Sequence, residues 1–153
     1  MQIDELARQH RDLGNIAAEL LHAVSAPEPR PVAAVRWRLA RALLAHLALE
    51  DSYLYPALIG SNKSSVSGLA ASYRREMGDL APMFRNYLAE WTELRIAKEW
   101  SLFAEETRQI LAALSQRIVR EDQKLYPAAR AALGVAENIP VRSSPGSQDR
   151  NAA

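Results

Sequence analysis

The sequence predicts an all-α protein, an antiparallel up-down four-helix bundle built from two related helical hairpins. Three observations carry that prediction. Apolar residues recur at alternating steps of three and four along four separate segments, which is the signature of one buried helix face. The composition is rich in Ala, Leu, Glu and Arg, and 153 residues contain only 6 Gly and 8 Pro. Finally, HLALEDSYLYP (46–56) returns as RIVREDQKLYP (117–127), with Glu, Asp, Leu, Tyr and Pro in register.

The first stripe runs Ile3, Leu6, His10, Leu13, Ala17, Leu20 and Val24. Asp4 and Glu5 suit a helix start, where the backbone N–H groups present partial positive charge. The stripe stops at Ser25, and Pro27, Pro29 and Pro31 follow; Pro31 fits the first turn of the next helix. The second stripe runs Val32, Val35, Leu39, Leu43, His46, Glu50 and Tyr53, fades near Pro56 and ends in the turn-rich GSNKSS (60–65). A third stripe runs Val66, Ala70, Tyr73, Met77, Leu80, Phe84, Tyr87 and Trp91; Gly78 and Pro82 within it predict a kink. Its end is expected between Trp91 and Lys98. The fourth stripe runs Phe103, Ile110, Leu114, Arg117, Glu121 and Leu125, with Ile118 beside it. Short connectors between long helices make antiparallel neighbours. LARQHRDL (6–13) also aligns with YRREMGDL (73–80), sharing Arg, Asp and Leu and setting His10 against Met77, so each hairpin looks like a copy of the other. One domain over 1–134 is expected, followed by a polar, flexible tail over 135–153.

Composition excludes several classes of function. With 19 basic and 18 acidic residues the net charge is +1, so there is no nucleic-acid footprint. No cysteine is present, which removes disulfides, Cys-ligated zinc, iron–sulfur clusters and thiol chemistry. The N-terminus lacks a signal-peptide apolar region and no run is long enough to span a membrane. A soluble, cytoplasmic protein is the expectation.

The informative residues are polar ones on apolar stripes: His10, His46, Glu50, Arg117 and Glu121. A buried carboxylate without a partner costs several kcal/mol. These groups must therefore satisfy one another, a metal or water. His46 and Glu50 are four residues apart and share a helix face, as do Arg117 and Glu121. Imidazole and carboxylate together suit iron, manganese or zinc. Other polar and aromatic residues have plainer expectations. His22 lies off the stripe and should be exposed. Asp51 and Asp122 should face a neighbouring helix or solvent. Tyr55 and Tyr126 should pack at the bundle end. Trp37, Trp91 and Trp100 should pack at hairpin ends, and Arg36, Arg38 and Arg41 should form a solvated face.

The order of a first His, then HxxxE with an acidic residue and LYP, then a third helix, then a second E(E/D)xxLYP phrase, resembles the hemerythrin-like (HHE cation-binding) family over roughly residues 3–133. The resemblance implies a bundle that holds two irons between its helices. Their ligands would be His from helix 1, His and Glu from helix 2, His from helix 3, and His and Glu or Asp from helix 4. Position by position, His10, His46, Glu50 and Glu121 match this set. Met77 and Arg117 stand where the helix-3 and helix-4 histidines belong, and neither suits hard iron. In the family the glutamates bridge, while helices 1 and 2 serve one iron and helices 3 and 4 the other. The resemblance therefore implies a degenerate site holding at most one iron, zinc or manganese per chain on His10, His46, Glu50 and Glu121. It would bind or sense a metal or a small diatomic ligand. The alternative is a metal-free bundle in which Arg117 neutralises the glutamates and the protein serves interaction or regulation. Turnover of a substrate has least support, since no base or nucleophile appears beyond the ligands. The sequence names no protein partner.

Overall fold

A computed structural model of the chain describes residues 2–137, and side chains as far as Leu133. Among these residues every regular element is helical. Helix α1 (Ile3–Val24) is followed by α2 (Ala33–Leu49), a π-helical turn (Glu50–Leu54) and α3 (Tyr55–Ile59). Next come α4 (Ser64–Met77), α5 (Leu80–Glu90) and α6 (Glu93–Lys98). The chain continues through α7 (Trp100–Arg120), a second π-helical turn (Glu121–Leu125) and α8 (Tyr126–Glu137). Taken end to end, α1, α2–α3, α4–α5 and α7–α8 are the four rods of an up-down bundle. Rod 1 packs on rods 2 and 4, and rod 3 packs on the same two. The expected tail begins within α8, and residues 138–153 lie outside the described part. No helix among the described residues is long and apolar enough to cross a membrane.

The stripes bury as the periodicity requires. All of Val66, Ala70, Tyr73, Met77, Leu80, Phe84, Tyr87 and Trp91 are buried, although the helix breaks at Gly78 and Asp79. The break costs no phase, because Met77 and Leu80 remain one step of three apart on either side of it. The connector after Trp91 is itself helical: Thr92 caps α6 by accepting from the Arg95 N–H at 3.2 Å.

Both π turns fall on the repeated EDxxLYP phrase, and proline explains them. Pro56 has no N–H to give and its ring would crowd the carbonyl four residues back. Widening the turn lets the Tyr55 N–H reach the Glu50 carbonyl instead, five residues back. Tyr126, ahead of Pro127, does the same with Glu121. The extra residue per turn corrects the second stripe. Tyr53, expected inside, is 63% exposed, while Leu54 and Tyr55 turn inward. Two further expectations fail. Trp37 is 65% exposed on the outer face of α2. Arg36 is buried: it donates to the Trp91 carbonyl at 3.1 Å and lies over the Tyr87 and Phe103 rings, which favour its charge. Arg36 points back along the first turn of α2 onto α5, a contact that composition alone cannot signal.

The core has two apolar parts. One gathers Leu13, Leu43, Leu47, Leu80 and Leu114 with the aromatic residues toward the α5–α7 end. The other gathers Leu6, Leu54, Tyr55, Leu58, Tyr73, Met77, Leu125 and Tyr126. Between them lies a buried polar layer of His10, His46, Glu50, Arg117 and Glu121.

The glycines make opposite predictions. A Cβ on Gly78 would sit 2.3 Å from the Arg74 carbonyl oxygen, whereas one on Gly14 would meet nothing within 4 Å. Gly78→Ala is expected to lose about 1–3 kcal/mol, and Gly14→Ala, in mid-helix, to gain roughly 0.5–1 kcal/mol. Urea unfolding of the two variants checks the signs.

Candidate metal centre

Each rod supplies the polar layer at one level. α1 brings Gln9 and His10. Rod 2 brings His46 from the last turn of α2, and Glu50 and Asp51 from the π turn. Rod 3 brings the Met77 carbonyl at the end of α4. Rod 4 brings Arg117 from α7, and Glu121 and Asp122 from the second π turn. The glutamates open the π turns, so the widened backbone that accommodates each proline also sets its carboxylate at the bundle axis.

The two imidazoles are oriented alike. His10 Nδ1 lies 2.7 Å from Asp122 Oδ1, and His46 Nδ1 lies 2.7 Å from Gln9 Oε1. Both outer partners accept, so each Nδ1 carries its proton and each Nε2 faces the axis. Outer hydrogen bonds of this kind fix tautomer and ring angle at metal-binding histidines. The rings lie 4.7 Å apart between centroids. His46 Nε2 is 3.0 Å from Glu50 Oε1, and His10 Nε2 is 3.3 Å from Glu121 Oε1. Metal–ligand bonds of about 2.0–2.2 Å put neighbouring donor atoms roughly 3 Å apart, and one donor atom from each of the four side chains lies within 4.8 Å of all the others. Neither short approach is a hydrogen bond: His46 Nε2 and Glu121 Oε1 are buried without a hydrogen-bond partner. Buried polar atoms are rarely left so, and a cation bound among these donors would satisfy both.

Arg117 fills the other side of the layer. Its Nη2 donates to Glu50 Oε1 at 3.2 Å and to Asp51 Oδ1 at 2.7 Å, its Nε donates to Glu121 Oε2 at 3.1 Å, and its Nη1 donates to the Met77 carbonyl at 3.2 Å. The guanidinium therefore ties rods 2, 3 and 4 together at 1% exposure. Met77 contributes its backbone oxygen to this network, while its side chain joins the apolar cluster above.

The tyrosines of the LYP phrases close the layer. Tyr55 donates to Glu121 Oε2 at 2.7 Å. Tyr126 donates to Glu50 Oε2 at 2.6 Å, and its oxygen lies 3.0 Å from His10 Nε2. They cross between the hairpins, each binding the glutamate of the other copy. Burial, followed by the nearby carboxylates, pushes both phenols well above the usual range, so they stay neutral donors.

Electrostatics separates the two glutamates. Burial works against the Glu50 charge, but His46, Arg117 and the Tyr126 hydroxyl outweigh it and hold Glu50 at about 2. Burial and the neighbouring Glu50 charge raise Glu121 above the ordinary carboxylate value, despite His10, Arg117 and Tyr55. His10 is raised: burial disfavours its charge, but the contacts with Glu121 and Asp122 prevail.

Set against the sequence, the four expected donors and Arg117 converge, and His22 is exposed as expected. Asp51 and Asp122 reach neighbouring helices, but there they hold the layer itself. Tyr55 and Tyr126, expected to pack at the bundle end, also donate to the glutamates. The repeated phrase held the signal for these four, since Asp and Tyr recur with Glu in both copies. Gln9 has no such signal; only the folded bundle brings it to His46.

The hemerythrin HHE cation binding domain model matches residues 1–129. No curated protein and no solved structure matches the chain. A buried His/His/Glu/Glu group at the centre of an up-down helical bundle, on a chain matched over most of its length, is what that family's description leads one to look for. The chain belongs to the hemerythrin HHE cation-binding domain family.

Proposed function

We propose that the layer binds a single metal ion per chain, iron, zinc or manganese, on His10, His46 and the Glu50–Glu121 pair, and that the protein binds or senses that metal or a small diatomic ligand carried by it. The observation that carries this reading is the pair of orphaned buried atoms, His46 Nε2 and Glu121 Oε1, set among four convergent donors. The residues fit the group. Two imidazoles with outward Nδ1–H groups and two carboxylates form a borderline nitrogen and oxygen donor set suited to these ions. A bound ion would supply a Lewis-acidic centre to which a small ligand attaches.

The chain's own residues do the rest. Asp122 and Gln9 aim the imidazoles, Tyr55 and Tyr126 fix the carboxylate planes, and the two apolar clusters exclude water from above and below. Arg117 is the reason to assign one ion and no more. It keeps its proton at any relevant pH: burial works against its charge, but the Glu121, Glu50 and Asp51 carboxylates outweigh that and raise it further. A second cation beside it would be repelled. The expected result is about one metal per chain after purification without an affinity tag, and loss of that metal in His46→Ala. Plasma mass spectrometry measures both.

Protons compete for the same donors. With His10 raised above 6.5, an imidazolium must give up its proton before Nε2 can bind an ion. Metal affinity is expected to fall as pH drops through the His10 range, with proton release on binding, and to level off above it. Titration calorimetry in two buffers of different ionisation enthalpy reads that release.

A second reading has its own observation: Arg117 already binds both glutamates, so a metal-free bundle is stabilised without an ion. It predicts a regulatory or interaction module. In either case Arg117→Ala leaves buried carboxylates uncompensated and is expected to cost the metal-free protein about 3–5 kcal/mol, read by chemical unfolding in the presence of a chelator. The two readings part on metal content: no metal under any loading condition would leave only the second.

A further inference from the structure

The two glutamates are related by the internal repeat, yet their oxygens are used differently. Glu50 has both oxygens engaged: Oε1 accepts from Arg117 Nη2 at 3.2 Å, and Oε2 accepts from Tyr126 at 2.6 Å. Glu121 takes both of its hydrogen bonds on one atom: Oε2 accepts from Arg117 Nε at 3.1 Å and from Tyr55 at 2.7 Å. Its other oxygen, Oε1, is buried without a hydrogen-bond partner and lies 3.3 Å from His10 Nε2, another of the proposed donors. Arg117 reaches the two glutamates at nearly equal distances, and the Nη2 that meets Glu50 is also held by Asp51 at 2.7 Å. A carboxylate oxygen already shared with a guanidinium is a poorer donor to a second cation, since the first has drawn off its charge. A buried oxygen that accepts no hydrogen bond from the protein is the better one.

The geometry points to a division of labour between the repeats: Glu121 is the carboxylate that takes the ion, together with His10 and His46, while Glu50 serves as the counter-ion of Arg117. This rests on the metal-binding reading above and sharpens it. The donors then number two imidazoles and one carboxylate, which for a first-row divalent ion leaves positions open to an exogenous small ligand. The repeat explains how such a site arises. The hairpin that kept its histidine at position 46 keeps its glutamate beside Arg117. The hairpin whose equivalent position became Arg117 supplies the metal-binding carboxylate. Glu50 Oε1 lies 3.0 Å from His46 Nε2, so the alternative in which Glu50 also binds is a real one and must be tested directly.

The test is cobalt(II) titration of the full chain followed by visible absorption, in wild type, Glu121→Gln and Glu50→Gln, with far-ultraviolet circular dichroism to check folding. Loss of a ligand is expected to weaken Glu121→Gln by well over about a hundredfold, whereas loss of an outer partner should weaken Glu50→Gln by about 10- to 100-fold and leave the cobalt bands in place. Equal losses, or a changed band pattern in Glu50→Gln, would overturn the division. If Glu50→Gln does not fold, azide added to cobalt-loaded wild type decides instead: the open positions predict a shift of the bands, and no shift at saturating azide would overturn the proposal. Absence of cobalt binding by folded wild type would bring down the metal-binding reading itself, a distinct result from binding that Glu50 and Glu121 support equally.

Discussion

The structure turns on the buried guanidinium of Arg117. Two carboxylates meet at the bundle axis, where each would repel the other and neither is exposed to solvent. Arg117 donates to both, to Asp51 and to the Met77 carbonyl, and so joins three of the four rods at one level. A buried ion pair is weak evidence for stability as such, because desolvation offsets much of the attraction. What it fixes is arrangement. Any sliding of one rod along another would strand a charge in the apolar clusters on either side.

The π turns are the second constraint, and they connect local chemistry to the site. Proline in EDxxLYP forces the turn to widen, and the widened turn begins at the glutamate. The same distortion brings the tyrosine inward, four residues after the aspartate and five after the glutamate. Each phrase thus supplies a carboxylate to the layer, an aspartate to its edge and a phenol to the glutamate of the opposite hairpin. The repeat is preserved as a set because the members depend on one backbone irregularity. Of the positions at which the two phrases differ, His46 against Arg117 is the one in the polar layer, and it changes the charge there.

The same exchange decides what the cluster can hold. An imidazole offers a lone pair to a cation, whereas a guanidinium offers only donors and a charge that repels one. On the His10–His46 side, outward hydrogen bonds to Asp122 and Gln9 leave Nε2 atoms facing inward. On the Arg117 side, the guanidinium already engages Glu50, Asp51, Glu121 and the Met77 carbonyl. On the proposed reading, a cation would therefore enter from the His10–His46 side, opposite Arg117.

Most of the fold was legible because burial follows periodicity. The stripes placed His10, His46, Glu50, Arg117 and Glu121 on inner faces, and the third stripe held its phase through the break at Gly78. Periodicity failed at Tyr53, because a stripe assumes 3.6 residues per turn and the π turn does not keep that spacing. It failed at Arg36 and Trp37 because amphipathic side chains can fold back or lie outward whatever their class.

By itself the sequence determined the helices, the two-hairpin plan and the inner-face positions of His10, His46, Glu50, Arg117 and Glu121. These follow from residue type and from spacing along one chain. Tertiary structure alone decided how hydrogen bonds are allocated between the two glutamates. Glu50 and Glu121 are equivalent in the repeat, and only the placement of Arg117, Tyr55 and Tyr126 across the bundle leaves Glu121 Oε1 without a partner. Hydrogen-bond allocation depends on angles and distances between residues far apart in the chain, and no local pattern encodes those.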